Sequence, residues 1–91
     1  MTQKTILTRH PRGKSGKNIS RQKYDTVKKA MLSALRGKEL THTELLAGLS
    51  RGLKGRFPGN VSWYAETVKL DLEARGIIER TSSQPQTYRL S

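Results

Sequence analysis

Apolar residues recur at helical spacing in three stretches of this chain and alternate with polar ones in a fourth. The first stretch covers residues 21–36, where Tyr24, Val27, Met31, Ala34 and Leu35 fall on one face and Lys28 and Lys29 fall away from it. Ser20 is a good N-cap for this helix and Gly37 a good stop. The second stretch opens at Thr41-His42-Thr43-Glu44, a capping box: the Thr41 hydroxyl can accept from the Glu44 N–H, and the Glu44 carboxylate from the Thr41 N–H. Leu40 and Leu45 flank it as a hydrophobic staple, and Leu45, Leu46, Leu49 and Leu53 form the buried stripe. Gly48 and Gly52 each weaken this helix by roughly 1 kcal/mol relative to Ala, so it is expected to fray over residues 52–55.

Phe57-Pro58-Gly59-Asn60 reads as a turn into the third helix, residues 61–75, which Gly76 ends. At about 100° per residue, Val61, Tyr64, Ala65, Val68 and Leu72 share a core face. Trp63, Thr67, Leu70 and Ala74 share nearly the opposite face, with Ser62, Glu66, Lys69 and Glu73 as a polar stripe between. A helix apolar on both sides is expected to have both sides covered. Two strands follow, residues 77–81 and 87–91, with Ile78, Tyr88 and Leu90 pointing inward. Residues 82–86 are the polar tip between them, and Arg80 and Arg89 fall on the other face or near the edge. Residues 1–19 lack helical periodicity. Their β-branched cluster at residues 4–8 suits a short strand, and the remainder is expected to be a flexible arm.

Together these elements predict an α+β, mostly α domain over residues 20–91: three helices, then a two-stranded hairpin. That is the layout of a winged helix-turn-helix, here behind a basic N-terminal arm. Ninety-one residues suit one small domain with a modest core. The absence of Cys excludes a disulfide framework and a Cys-based zinc site, and suits the cytoplasm. No secretory apolar run is visible at the N-terminus, and no stretch approaches the ~20 apolar residues of a membrane span.

Charge changes the picture more. The formal net charge is +11. Residues 1–23 hold seven cations and no acid, whereas residues 24–91 hold eleven cations and seven acids. The excess therefore sits on the arm, which is attracted to polyanions.

Leu72-Glu73-Ala74-Arg75-Gly76-Ile77-Ile78-Glu79-Arg80, closed by Thr87-Tyr88-Arg89-Leu90, resembles the helix-to-wing junction of winged-helix proteins. His10-Pro11, Tyr24, Phe57-Pro58-Gly59 and Trp63-Tyr64 leading into Thr67-Val68-Lys69-Leu70 make the chain similar to a small, mostly bacterial family, a domain of unknown function. Members of that family tend to have His-Pro-Gly near the start, whereas here Arg12 separates Pro11 from Gly13. The resemblance implies the fold and carries no catalytic residue with it.

The functional expectation is nucleic acid binding, DNA before RNA, in a regulatory or accessory role. The third helix would face a groove through Ser62, Glu66, Lys69 and Glu73, with Ser62 and Lys69 suited to phosphates or base edges. Glu66 and Glu73 repel phosphates, so most affinity is expected from cations elsewhere. Those are Lys4, Arg9, Arg12, Lys14, Lys17 and Arg21 on the arm and its junction, Lys28 and Lys29 on the first helix, Arg51, Lys54 and Arg56 at the end of the second, and Arg80 and Arg89 on the hairpin. The competing expectation is a protein-interaction or homodimerisation face made by Trp63, Thr67, Leu70 and Ala74. Two further readings of that face stay open: Ile6 and Leu7 fold back over it, or Trp63 stacks on bases. Tyr24, Tyr64 and Tyr88 read as core aromatics with wet hydroxyls, and His42 as an exposed helix-start residue. Two His far apart, with no Cys, make a poor metal set. No catalytic constellation, cofactor motif or small-molecule site emerges, so an enzyme is not expected.

Overall fold

The computed structural model describes residues 4–14 and 16–91. Its elements are β1 (Thr5–Leu7), β2 (Asn18–Ser20), α1 (Arg21–Leu35), β3 (Leu40–Thr41), α2 (His42–Leu53), α3 (Val61–Ala74), β4 (Ile78–Arg80) and β5 (Thr87–Leu90).

Local signals set the helix ends. The Ser20 hydroxyl accepts from the Lys23 N–H to start α1. Both arms of the capping box form at α2: the Glu44 N–H donates to Thr41 Oγ1 at 3.1 Å, and the Thr41 N–H to Glu44 Oε1 at 2.9 Å. Asn60 caps α3 by accepting from the Trp63 N–H at 3.1 Å. Gly76, at φ +74°, turns the chain out of α3 and lets the Ile77 N–H reach the Leu72 carbonyl at 2.9 Å.

The three helices close around one core. Tyr24, Val27, Met31 and Leu35 of α1 meet Leu45, Leu49 and Leu53 of α2 and Ala65, Val68 and Leu72 of α3. Val61 and Tyr64 are half-buried against the same core. Ile78 and Tyr88 are buried, and Leu90 packs partly against the core, as alternation along the strands requires.

The strand layout departs from the expected one. Three helices followed by a two-stranded wing, behind a flexible arm, is not the architecture of this chain. Among the described residues five strands form two antiparallel sheets, one of two strands before α1 and one of three in the order β3-β5-β4. β3 lies between α1 and α2, where Leu40 pairs with Tyr88 and Thr41 with Thr87, so β5 is the central strand. Two residues are too short for alternation to reveal a strand. Leu40 instead carries the signal of a helix staple, and its pairing partner lies far along the chain.

The segment expected as a free arm is folded over its described part. Within it the strand expected at residues 4–8 is present as Thr5–Leu7, but its partner β2 was not foreseen. Thr5, Ile6 and Leu7 pair with Ser20, Ile19 and Asn18. Ile19 is buried and Ile6 packs against the helical core. Thr8 closes the loop end: its N–H donates to the Lys17 carbonyl, and its hydroxyl accepts from the Lys17 N–H, both at 2.8 Å. Gly16 is required here, because a Cβ would overlap the Thr8 carbonyl. The loop then docks on α3, where the Arg9 N–H donates to Asp71 Oδ1 at 2.8 Å. Residues 1–3 and 15 of the expected arm lie outside the described residues.

Candidate nucleic-acid interface

The acids of this chain are largely committed within it. Four arginines hold five of the seven carboxylates: Arg21 with Asp25 (3.5 Å), Arg75 with Asp71 (2.9 Å), Arg80 with Glu73 (2.9 Å), and Arg89 with Glu79 (2.8 Å) and Glu39 (3.7 Å). Glu44 serves the capping box. The other fourteen Lys and Arg have no carboxylate within ion-pair distance among the described residues. Thirteen of them are exposed or half-buried, and Lys69 alone is inside. The surface charge left outside ion pairs is therefore mostly cationic.

Part of this charge is gathered at one end of the molecule. Antiparallel packing of α1 and α2 brings the start of α1 beside the α2–α3 loop, and β1 runs along the same end. Lys4 and Arg21 line a shallow hollow of about 410 Å³ with Gln22 and Asp25. Gln22 also lines the neighbouring cleft, about 270 Å³, with Ser20, Lys23, Thr26, Arg56, Phe57 and Pro58. Lys4, Lys23 and Arg56, with Arg21 and its partner Asp25 between them, thus form a basic belt. Lys23 and Phe57 were not among the expected contact residues. The Ser20 cap places Lys23 in the first turn, but only the return of the chain after α2 puts Arg56 and Phe57 opposite it.

Other expected contacts stand elsewhere. Arg9, Arg12, Lys14 and Lys17 are exposed on the β1–β2 segment, with Gly13 N–H donating to His10 O at 3.0 Å in the loop. Pro11 lines a shallow hollow together with Gly76, Ile78 and Arg80. Lys28 sits 5.9 Å above the Tyr24 ring, and Lys29 is exposed on α1. Arg51 shares a groove between α1 and α2 with Lys38, and Lys54 is exposed at the end of α2. Arg80 and Arg89 are held in their ion pairs. The hydrogen bonds that Arg80 donates to the Glu73 carboxylate raise its pKa, and the one that Arg89 donates to Glu79 does the same for Arg89. The polar stripe expected on α3 is broken. Ser62 and Glu66 are exposed, but Glu73 is spent on Arg80 and Lys69 is buried.

Lys69 fails as a groove contact because the three-stranded sheet and the start of α2 close over it. Its Nζ donates to Tyr88 Oη at 3.1 Å, lies 3.0 Å from His42 Nδ1 and sits 4.3 Å from the Tyr88 ring centroid. His42 is half-buried rather than exposed, and burial, then the Lys69 charge, lower its pKa from the usual 6.5. The tyrosine hydroxyls at positions 24 and 88 are likewise not wet. Tyr24 Oη donates to Asp71 Oδ2, and burial, reinforced by that carboxylate, pushes its pKa up to about 12. Asp71 was not singled out from the sequence. A fully buried carboxylate on a helix has no periodic signature, and its partners come from three parts of the chain.

The face expected for protein contact is mostly covered. Thr67, Leu70 and Ala74 are half-buried, and Trp63 remains 43% exposed. Leu7 is itself 65% exposed. Among the described residues there is no cluster of three or more metal-ligating side chains, and no helix is long and apolar enough to cross a membrane.

The fold and the basic belt define a small α+β chain whose surface cations outnumber its free acids. Residues 5–88 match a family of unknown function, DUF6958, and the chain belongs to that family. No curated protein and no solved structure gives a significant match. Nothing in these comparisons places the chain in the winged-helix superfamily.

Proposed function

We propose that this protein binds nucleic acid, DNA in particular, mainly through phosphate contacts and in a regulatory or accessory role. The observation that carries the reading is the sorting of charge. Internal ion pairs consume most carboxylates, while thirteen surface cations keep no carboxylate partner. Such a surface releases condensed counterions from a polyphosphate, which gives affinity without sequence readout. The belt of Lys4, Arg21, Lys23 and Arg56 is the proposed centre, with Arg9, Arg12, Lys14, Lys17, Lys28, Lys29, Arg51 and Lys54 as surrounding charge. Base-edge readout by α3 is not part of this reading, because Lys69 and Glu73 are engaged within the fold.

Homodimerisation through the α3 face is the weaker alternative. With Thr67, Leu70 and Ala74 half-buried, Trp63 is left as the one exposed large side chain there. A single exposed aromatic falls short of the contiguous patch that marks an interface.

Anisotropy of a labelled random-sequence duplex, titrated at several salt concentrations, tests the proposal. Binding is expected to weaken steeply with salt, and Arg56→Gln should flatten the log–log slope by about 1. Deleting β1 is not a clean test, since Ile6 and Ile19 pack on the core. Absence of binding to any DNA, duplex or single-stranded, at low salt sinks the reading.

A further inference from the structure

Beside the general attraction for phosphates, the cleft at the start of α1 has features that suit one particular guest. Its charged lining is cationic only: Lys23 and Arg56, with Gln22 and Thr26 as neutral hydrogen-bonding neighbours. Neither Lys23 nor Arg56 spends its side-chain N–H groups on a hydrogen bond or ion pair among the described residues. Lys23 makes one further contact, standing 5.3 Å from the Tyr64 ring centroid.

One wall of the cleft is aromatic, and it continues outward. Phe57 meets Tyr64 edge-on at 5.1 Å, and Tyr64 meets Trp63 edge-on at 4.9 Å. The row starts at Phe57 in the cleft and ends at the exposed Trp63. Lys23 and an exposed ring are thus joined through a single side chain, Tyr64. A groove that fixes a strand's phosphates beside aromatic faces that accept its bases is the general solution for single-stranded nucleic acid. A duplex keeps its bases stacked on one another and offers none to Trp63. The cleft, about 270 Å³, lies below the usual 300–1,000 Å³ of pockets for larger ligands, which suits a phosphate and its sugar rather than a whole enclosed ligand.

We infer that this cleft is a site for single-stranded DNA, in which Lys23 and Arg56 hold a backbone phosphate and Trp63 stacks on a neighbouring unpaired base. The inference rests on the nucleic-acid reading above and narrows it to a strand form and a site. It gives Trp63 a use that needs no second protein.

The chain has a single Trp, so its intrinsic fluorescence reports this site directly. The full protein is titrated with three DNAs: a dT oligonucleotide, an abasic strand of the same length and a duplex of the same length. The expected result is quenching of Trp63 by dT, none by the abasic strand, and about tenfold tighter binding of dT than of the abasic strand. Trp63→Leu is expected to remove that advantage, bringing dT affinity down to that of the abasic strand. Arg56→Gln is expected to weaken both single strands. Duplex binding with equal dT and abasic affinities and no quenching overturns the stacking site and leaves phosphate binding intact. No binding of any of the three overturns both. The wild-type quenching experiment needs no variant to fold.

Discussion

Lys69 and Asp71 stand two residues apart on α3, and both are buried, yet the fold satisfies them in opposite ways. Asp71 has a counter-charge and a full set of donors: the Arg75 guanidinium at 2.9 and 3.0 Å, the Tyr24 hydroxyl and the Arg9 N–H. Lys69, 4% exposed, has only the neutral acceptors of Tyr88 and His42 and the Tyr88 ring. Dehydrating a charge is costly, and a counter-charge with good hydrogen bonds is what offsets it. The contrast separates a carboxylate that ties the fold together from an ammonium that the fold tolerates. Asp71 links α1, α3 and the loop after β1, so it couples the N-terminal sheet to the helices. Lys69 links α3 to β5 and α2.

Replacing Asp71 with Ala tests that contrast most severely. It strips three donors of their acceptor at once and should lower unfolding free energy by about 3 kcal/mol. Urea denaturation measures it, and a loss below about 1 kcal/mol would mean that the partners rehydrate freely and the hub is incidental. Because Arg9 is one of the partners, amide exchange in β1 should also accelerate.

Tyr24→Phe removes one donor and should cost about 1–2 kcal/mol at neutral pH. The pH profile sharpens the point. The folded pKa of Tyr24 is raised from 10 to about 12. Its stabilising contribution is therefore complete below pH 10 and is lost as pH climbs towards 12. Tyr24→Phe should flatten that alkaline decline, and an unchanged decline would assign it to other groups.

Lys69→Met is the opposite case. Removing an ammonium that lacks a carboxylate should raise stability by roughly 1 kcal/mol, despite the two hydrogen bonds lost. A loss of more than about 2 kcal/mol would show that those hydrogen bonds outweigh dehydration, and the contrast with Asp71 would collapse.

The smallest effect is expected at His42. Burial and Lys69 lower its folded pKa below the usual 6.5. The unfolded chain then binds the extra proton first, so the His42 contribution is full above pH 6.5 and falls as pH drops from there to the folded pKa. His42→Gln should remove that slope on the acidic side of neutrality. Since the Lys69 charge is part of the cause, Lys69→Met should shrink the slope too.

Local chemistry alone set much of this protein. Ser20, the Thr41–Glu44 capping box and Gly76 mark helix boundaries because each satisfies or redirects the backbone within a few residues. Helical and alternating periodicity picked Val27, Met31, Leu49, Val68 and Ile78 for the core, because burial follows the repeat of the backbone itself. The excess of cations was also plain, since it needs only counting.

Only the tertiary structure decided the rest, wherever the partner lies far along the chain. β3 is two residues long and exists because β5 lies beside it. β2 completes a sheet with β1 across a loop that Gly16 and Thr8 close. The periodic stripe counted Lys69 as polar surface and passed over Asp71, because a charge is buried according to what packs above it. The cleft followed the same rule: Lys23 was legible as a helix-start cation, but the juxtaposition with Arg56, Phe57 and the Tyr64–Trp63 row depends on α2 returning the chain to the start of α1. Sequence fixes what each residue prefers within one turn or strand, and folding decides which distant groups share the space above it.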